Sequence, residues 1–245
     1  MQGRSMFNLK ACLDKSELSW YAIFNGTTDY SALADFYQLG GKDAYGIWLN
    51  TQYEDWTLVM PYIAPLDPNG AFVEWIKNDA DEDWGMIVGT KASFNEVLSH
   101  FRSLTQIWMP SGSHAFFRFY DPRFSLNIAK FCDSDQRSKV MGPCHVWASK
   151  TGDVLNPSPA ENSPNASFPW WTVPEEVLFQ LTEIDNSTLI SNTTKWLKEF
   201  HADLYFYFPE STVNAKVTRL VNRYKKEFGS LNEYIKSALE KEVYR

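Results

Sequence analysis

An α/β amino-terminal lobe followed by a smaller all-helical carboxy-terminal lobe is the architecture this 245-residue sequence predicts. Three observations predict it. Strand-like and helix-like patterns alternate through about the first 150 residues, which argues for a mixed sheet flanked by helices. A stretch rich in Pro, Asn and Ser then breaks the pattern. From Pro174 onward the apolar spacing is helical. The expected boundaries are 1–148 for the α/β lobe, 149–173 for a Pro-rich linker or extended arm, and 174–245 for the helical lobe.

Each element has a local reason. "SWYAIFNG" from Ser19 is an apolar strand closed by an Asn-Gly turn, and "DYSALADFYQLGG" has helical spacing with glycines at its end. "AYGIWL" (Ala44 to Leu49) reads as a second strand and "EDWTLVM" as a short helix. "PYIAPLDPNG" is a short strand entering a turn marked by Asp67, Pro68, Asn69 and Gly70. "AFVEWIKN" is helical, "WGMIVG" is a strand, and "SFNEVLSHFRSL" is an amphipathic helix with Ser93 as cap and Glu96 three residues on, the pattern of a capping box. "TQIWM", a Pro-Ser-Gly turn and "HAFFRFY" read as a hairpin. The stretch from Thr151 to Pro174 holds five of the twelve prolines, so it is read as linker or wrapping arm. Beyond it "PEEVLFQLTEIDNSTLI" and "TTKWLKEFHADLYFYF" are helical. A further helix carries Val213, Val217, Leu220, Val221 and Tyr224 on one face, and Gly229 and Ser230 end one helix and cap the next.

Composition bounds the setting. With 44% hydrophobic and 22% charged residues the chain reads as an ordinary soluble globular protein. The first residues lack an apolar signal-peptide core, and no apolar run approaches a membrane span, so a cytoplasmic location without membrane contact is expected. Three cysteines without a C-x-x-C pattern suit a reducing compartment. The net charge of -7 is uneven: Ser211 to Arg245 carries eight Lys/Arg against four Asp/Glu. Ten Trp, twelve Tyr and seventeen Phe exceed what a small core needs, and such residues often anchor protein interfaces.

In "AFFRFYDPRF" five aromatic rings crowd around Arg118, Asp121 and Arg123. If "AFFRFY" is a strand, Ala115, Phe117 and Phe119 share one face and Phe116, Arg118 and Tyr120 the other. Asp121 followed by Pro122 then fits a helix start, with the carboxylate as N-cap and proline at the first helical position. Arg118 or Arg123 pairs with Asp121 across the corner. On local grounds this is a structural joint.

Catalytic patterns do not converge. Cys144 and His145 are adjacent, and adjacent strand residues face opposite sides, so Cys144 is expected as a buried thiol. His100, His114, His145 and His201 are scattered without metal-ligand spacing. "DADEDW" (Asp79 to Trp84) begins like a calcium loop but has Trp84 where Gly is needed and Thr90 where Glu is needed, so it reads as a solvated loop. No metal, no cofactor and no enzymatic activity are expected. Basic residues near the end, among them Arg219, Arg223 and Lys226, offer a positive stripe, but a chain with a pI near 5.2 lacks the footprint of a dedicated nucleic-acid binder.

"FRFYDPR" resembles the signature of the type VI secretion effector-adaptor family, a family first catalogued as a domain of unknown function. "WYAIFNGTTDYSALADF", "MPYIAPLDPNGAFVEWI", "DWGMIVGTKASFNEVLSHFRSL" and "MGPCHVWAS" stand in the order expected of it, from Ser19 to about Ser149. "HADLYFYFPES" and "YKKEFGSLNEYIKSALE" resemble its second lobe more loosely. The resemblance implies a non-enzymatic adaptor or chaperone that binds the amino-terminal region of a secreted toxic effector and loads it onto the spike protein of the secretion machine. The alternatives are a nucleic-acid-binding protein and a hydrolase of unrecognised type. Expected partner-binding residues are Trp170, Trp171, Arg219, Arg223 and Lys226. Arg118, Tyr120, Asp121, Pro122 and Arg123 are the structural signature. The tryptophan pair is expected to be exposed on the linker as an interface anchor, or else to staple the two lobes together.

Overall fold

The computed structural model describes residues 7–160, 169–184, 186–225 and 228–244. Two compact units divide the chain, Met1–Leu178 and Phe179–Arg245.

The first unit is built on a six-stranded sheet in the order β2-β3-β1-β4-β7-β8. Its strands are β1 (Ser19–Phe24), β2 (Tyr45–Gly46), β3 (Tyr62–Pro65), β4 (Gly85–Thr90), β7 (Cys144–Ala148) and β8 (Asp153–Leu155), with β5 (Gln106–Trp108) and β6 (His114–Phe116) forming a separate hairpin. Every pairing is antiparallel. The flanking helices are α1 (Leu9–Leu13), α2 (Ala32–Gln38), α3 (Ala71–Asn78), α4 (Phe94–Ser103), α5 (Pro122–Phe131) and α6 (Ser134–Met141).

Central strands β1 and β4 are buried on both faces, which is why they read as unbroken apolar runs. Trp20, Ala22 and Phe24 of β1 face one core together with Phe36 of α2 and Phe72 and Ile76 of α3. On the opposite face Trp147 of β7 stacks on Phe101 of α4, which in turn meets Phe119. Gly85 opens β4 at φ +145°, and a Cβ there would lie 2.1 Å from the Ile23 carbonyl oxygen, so only glycine lets the strands close at this end.

Several elements are shorter than the sequence predicts. The second strand stops at Gly46 because Arg102 Nε and Nη2 donate to the Ile47 and Leu49 carbonyls, removing acceptors that a ladder would use. "EDWTLVM" forms only a 3-10 turn at Thr57–Val59. Strand β6 ends at Phe116 and the chain turns before Asp121; burial still alternates through Phe119, as predicted, but Tyr120 is buried beside it, so the alternation breaks at Tyr120. Helix α6 was not foreseen. Its sequence "SDQRSKVM" has little apolar periodicity, yet Asp133 caps it by accepting from Gln136 N at 2.8 Å, and Gly142 ends it at φ +54°.

The segment 149–173 carries β8, and its later residues return to the hairpin. Trp108 N donates to the Trp171 carbonyl at 2.8 Å and Val173 N to the Trp108 carbonyl at 3.0 Å, with a parallel bridge between Trp108 and Thr172. This part of the arm thus adds itself to the free edge of β5, satisfying backbone groups that an edge leaves open.

Helix α7 (Glu175–Ile184) begins in the first unit and ends in the second, which continues with α8 (Ser187–Phe200), α9 (Ala202–Tyr207), α10 (Glu210–Val221) and α11 (Leu231–Val243). Val213, Val217, Leu220 and Val221 are buried as their spacing predicts, around Leu197, Leu204, Ile235 and Leu239. Tyr224 is only half-buried. Ser230 stands at the N-cap of α11 without a side-chain capping bond.

Candidate functional site

The corner between β6 and α5 is a charged joint closed on itself. Asp121 is fully buried, has extended backbone and caps α5, with Pro122 in the first turn. Its Oδ1 accepts from Arg123 N at 3.1 Å and Arg123 Nε at 2.9 Å; its Oδ2 accepts from Arg123 Nη2 at 2.8 Å and Arg118 Nη2 at 2.9 Å. Both arginines that the sequence offered as alternatives are thus engaged at once. Arg118 also lies over the Phe124 ring, 5.3 Å from its centroid. A buried carboxylate is tolerated only when paired and hydrogen-bonded, and this one is saturated.

The network extends beyond the signature. Arg123 reaches Asp83 at 3.2 Å, and Tyr30 donates its hydroxyl to Asp83 Oδ1 at 3.4 Å. Asn25 Nδ2 donates to the Asp83 carbonyl at 2.9 Å, and Asn25 Oδ1 accepts from Thr27 N and Oγ1. The turn after β1, the loop before β4 and the start of α5 are therefore fastened together by two carboxylates and two guanidinium groups. The hydrogen bond to Asp121 raises the Arg123 pKa. Burial, then the Asp83 charge, raises that of Tyr30. Burial likewise raises that of Tyr120, against the opposing pull of Arg118. Each of these three shifts favours the protonation state that the group has at neutral pH. Asp83 and Tyr30 were missed by sequence reasoning; "DADEDW" reads as solvated loop until its long-range partner Arg123 is placed.

Beside Asp121, Tyr120 lies edge-on to Trp48 at 6.4 Å between centroids, and Trp48 meets Tyr53 at 6.1 Å and Trp56 at 6.3 Å. Trp56 in turn packs on Phe116 at 5.2 Å. The rings run from buried Tyr120 to a solvent face where Trp56 is 45% and Phe116 44% exposed. Sequence reasoning missed this face, because "EDWTLVM" was read as a helix and "HAFFRFY" as a full strand. The signature residues thus brace an aromatic surface.

Trp170 and Trp171 are placed otherwise than expected. Trp171 is 2% exposed, packs against Phe117 and donates from Nε1 to Gln136 Oε1 at 2.9 Å. The expectation of an exposed anchor is corrected for it, because the arm's pairing with β5 turns its ring into the first unit. Trp170 is half-buried, with Nε1 donating to Ser103 Oγ at 3.0 Å, and Trp108 Nε1 holds the Pro169 carbonyl at 2.9 Å. These contacts lie within the first unit. Five of the ten tryptophans, Trp20, Trp48, Trp84, Trp147 and Trp171, are buried, so much of the aromatic excess is core.

In the second unit Arg219 reaches Glu242 at 3.4 Å and Lys216 pairs with the same carboxylate, so part of the basic stripe is neutralised; Arg223 is exposed. Lys226 lies outside the described residues. Cys144 is fully buried and its thiol is pushed up to about 12 by burial, which keeps it protonated at neutral pH. His100 is buried, its Nε2 bonded to the Val140 carbonyl at 2.9 Å, and burial lowers its pKa to about 4. Among the described residues there is no cluster of three His, Cys, Asp or Glu side chains suited to a metal, and no helix is long and apolar enough to cross a membrane.

Fold and site together define a two-unit protein, an antiparallel sheet unit organised around a charged corner and a helical unit with its own core. Residues 20–139, just under half of the chain, match the model of the family described as Domain of unknown function (DUF4123). The FRFYDPR corner lies inside that span. No curated protein and no solved structure matches the chain.

Proposed function

We propose that this protein is a non-enzymatic adaptor that holds the amino-terminal region of a toxic effector and loads it onto the spike protein of a type VI secretion machine. The observation that carries the reading is the match over residues 20–139, which encloses the FRFYDPR corner and the ordered motifs that resemble the effector-adaptor family. The geometry supports it in two ways. The groups with the most chemical potential serve structure: Asp121 is saturated by arginines, the Cys144 thiol is buried and His100 is neutral against Val140. Two units with separate cores also offer separate surfaces, as holding two partners at once requires.

Co-expression tests the reading. A candidate effector is produced as its amino-terminal region, alone and with the full chain. Adaptor function gives soluble effector and a complex that captures the spike protein only when the chain is present. Equal yield and equal spike capture without it overturn the proposal.

A further inference from the structure

We infer that the face formed by Trp56, Phe116 and Leu58 is a docking site for a cationic amphipathic segment of a partner protein. Single exposed apolar residues are ordinary, but a contiguous group of large ones marks an interaction surface. Trp56 and Phe116 touch through their rings, and Leu58, on the 3-10 turn two residues from Trp56, is 92% exposed. Leu58 also lines a cleft of about 270 Å³ together with Thr28, Asp29, Tyr30 and Ser31. The ring face gives an apolar seat, and the adjoining cleft, lined by Thr28, Asp29, Tyr30 and Ser31 as well as Leu58, gives a polar one, so the two sides of an amphipathic segment each find a match.

Charge selects the occupant. Exposed Glu54 and Asp55 lead directly into Trp56, and exposed Asp29 lies on the cleft wall. Between Thr27 and Leu58 stand five acids, Asp29, Asp35, Asp43, Glu54 and Asp55, against the single base Lys42. Of the cations around it, Arg102 is committed to the Ile47 and Leu49 carbonyls, and Arg123, whose charge reaches Tyr30 of the cleft wall, is paired with Asp121 and Asp83. A partner with Lys or Arg flanking its apolar residues is attracted here, whereas pairing this face with the same face of a second copy would bring like charges together. The surface is also held in shape before binding, since Trp48 beneath it rests on Tyr120 of the clamped corner. Such preorganisation reduces the ordering cost of association.

The surface stands on its own observations; its assignment to the effector rests on the adaptor reading, and the test separates the two. The full chain is titrated with a labelled Leu/Lys amphipathic peptide of about 18 residues, with a Leu/Glu peptide of the same pattern, and with the effector's amino-terminal region. Leu58→Asp, at a solvent-facing position, leaves melting unchanged, and the double change Glu54→Lys with Asp55→Lys alters the rim alone. The inference expects the Leu/Lys peptide to bind wild type in preference to the Leu/Glu peptide, with affinity falling about ten-fold or more in either variant. Effector binding should fall in parallel. Equal peptide affinity for wild type and both variants overturns the docking site. Effector capture that is unchanged in both variants overturns its role in the effector complex while leaving the adaptor reading intact. Variant-sensitive peptide binding without any effector capture by wild type sustains the site and defeats the adaptor reading. Wild type that sediments as a dimer and Leu58→Asp as a monomer would make the occupant a second copy, and the inference would be wrong.

Discussion

Replacing Asp121 with Ala removes the group on which the corner converges. Loss of an N-cap costs about 1 kcal/mol. Stripping one partner from a fully buried ion pair costs ~3–5 kcal/mol, but the side chains of Arg118 and Arg123 are both half-exposed and recover water, so this part falls to ~1–2 kcal/mol. Together the loss is ~2–3 kcal/mol, which in a unit of this size lowers Tm by roughly 4–12 °C. Asp121→Asn divides the two contributions. Its amide oxygen still accepts from Arg123 N, so the cap is retained, but its N–H groups face the Arg118 and Arg123 Nη2 donors where the carboxylate accepted, so the guanidinium part is lost in full, ~1–2 kcal/mol or more. The assay is thermal unfolding followed by far-ultraviolet circular dichroism, with tryptophan fluorescence of the folded state beside it. Fluorescence should change in both variants, because the corner sets Tyr120 against Trp48 and, through it, Trp56. A Tm that moves in neither variant refutes the reasoning, and an Asn variant as stable as wild type would show that the guanidinium pairing contributes nothing.

The tryptophan pair should split in urea unfolding: Trp171→Ala removes a buried ring and costs ~3–5 kcal/mol, whereas half-buried Trp170 costs less than half of that, and equal losses would reject the placement. Burial keeps His100 neutral in the fold, with a pKa of about 4 against 6.5 unfolded, so the unfolded chain binds the extra proton between these values. Stability from this group is complete above pH 6.5 and declines as pH falls toward 4, by roughly 3 kcal/mol in all. The Tm of His100→Gln should therefore fall less steeply between pH 6.5 and 4.5 than that of wild type, and parallel slopes would sink the assignment. Cys12, Cys132 and Cys144 are free and buried, with pKa values pushed up to about 11, 12 and 12. A disulfide reagent at pH 8 should find them silent in the native protein and reactive in denaturant, and a thiol that titrates in the native state would contradict their burial.

Local signals carried the reading of sequence furthest. Strands β1 and β4 were legible because burial on both faces leaves an unbroken apolar run, and α4 because Ser93 and Glu96 do form the capping box their spacing announces. The start of α5 was legible for the same reason, since Asp-Pro fixes a cap without reference to anything distant. What failed depended on partners remote in sequence. Arg102 truncates β2 from more than fifty residues away, and the ion pair of Arg123 with Asp83 spans forty. Trp171 reads as exposed on a Pro-rich stretch, yet the edge of β5 buries it. Helix α6 is polar enough to hide its period, and only the Asp133 and Gly142 boundaries betray it.

The return of the arm to β5 has a consequence for synthesis. The indole of Trp108 meets the Pro169 carbonyl across a separation of 61 residues, and its backbone meets Trp171 and Val173 later still. At about 5–20 residues per second a ribosome needs roughly 3–12 s to extend the chain from one to the other. Throughout that interval the nascent hairpin has its β5 edge unpaired and the seat of Trp171 empty, the state in which strands join the wrong neighbour. Cutting the chain at residue 148 would make that interval permanent, so a fragment ending there should aggregate where one ending at 178 stays dispersed.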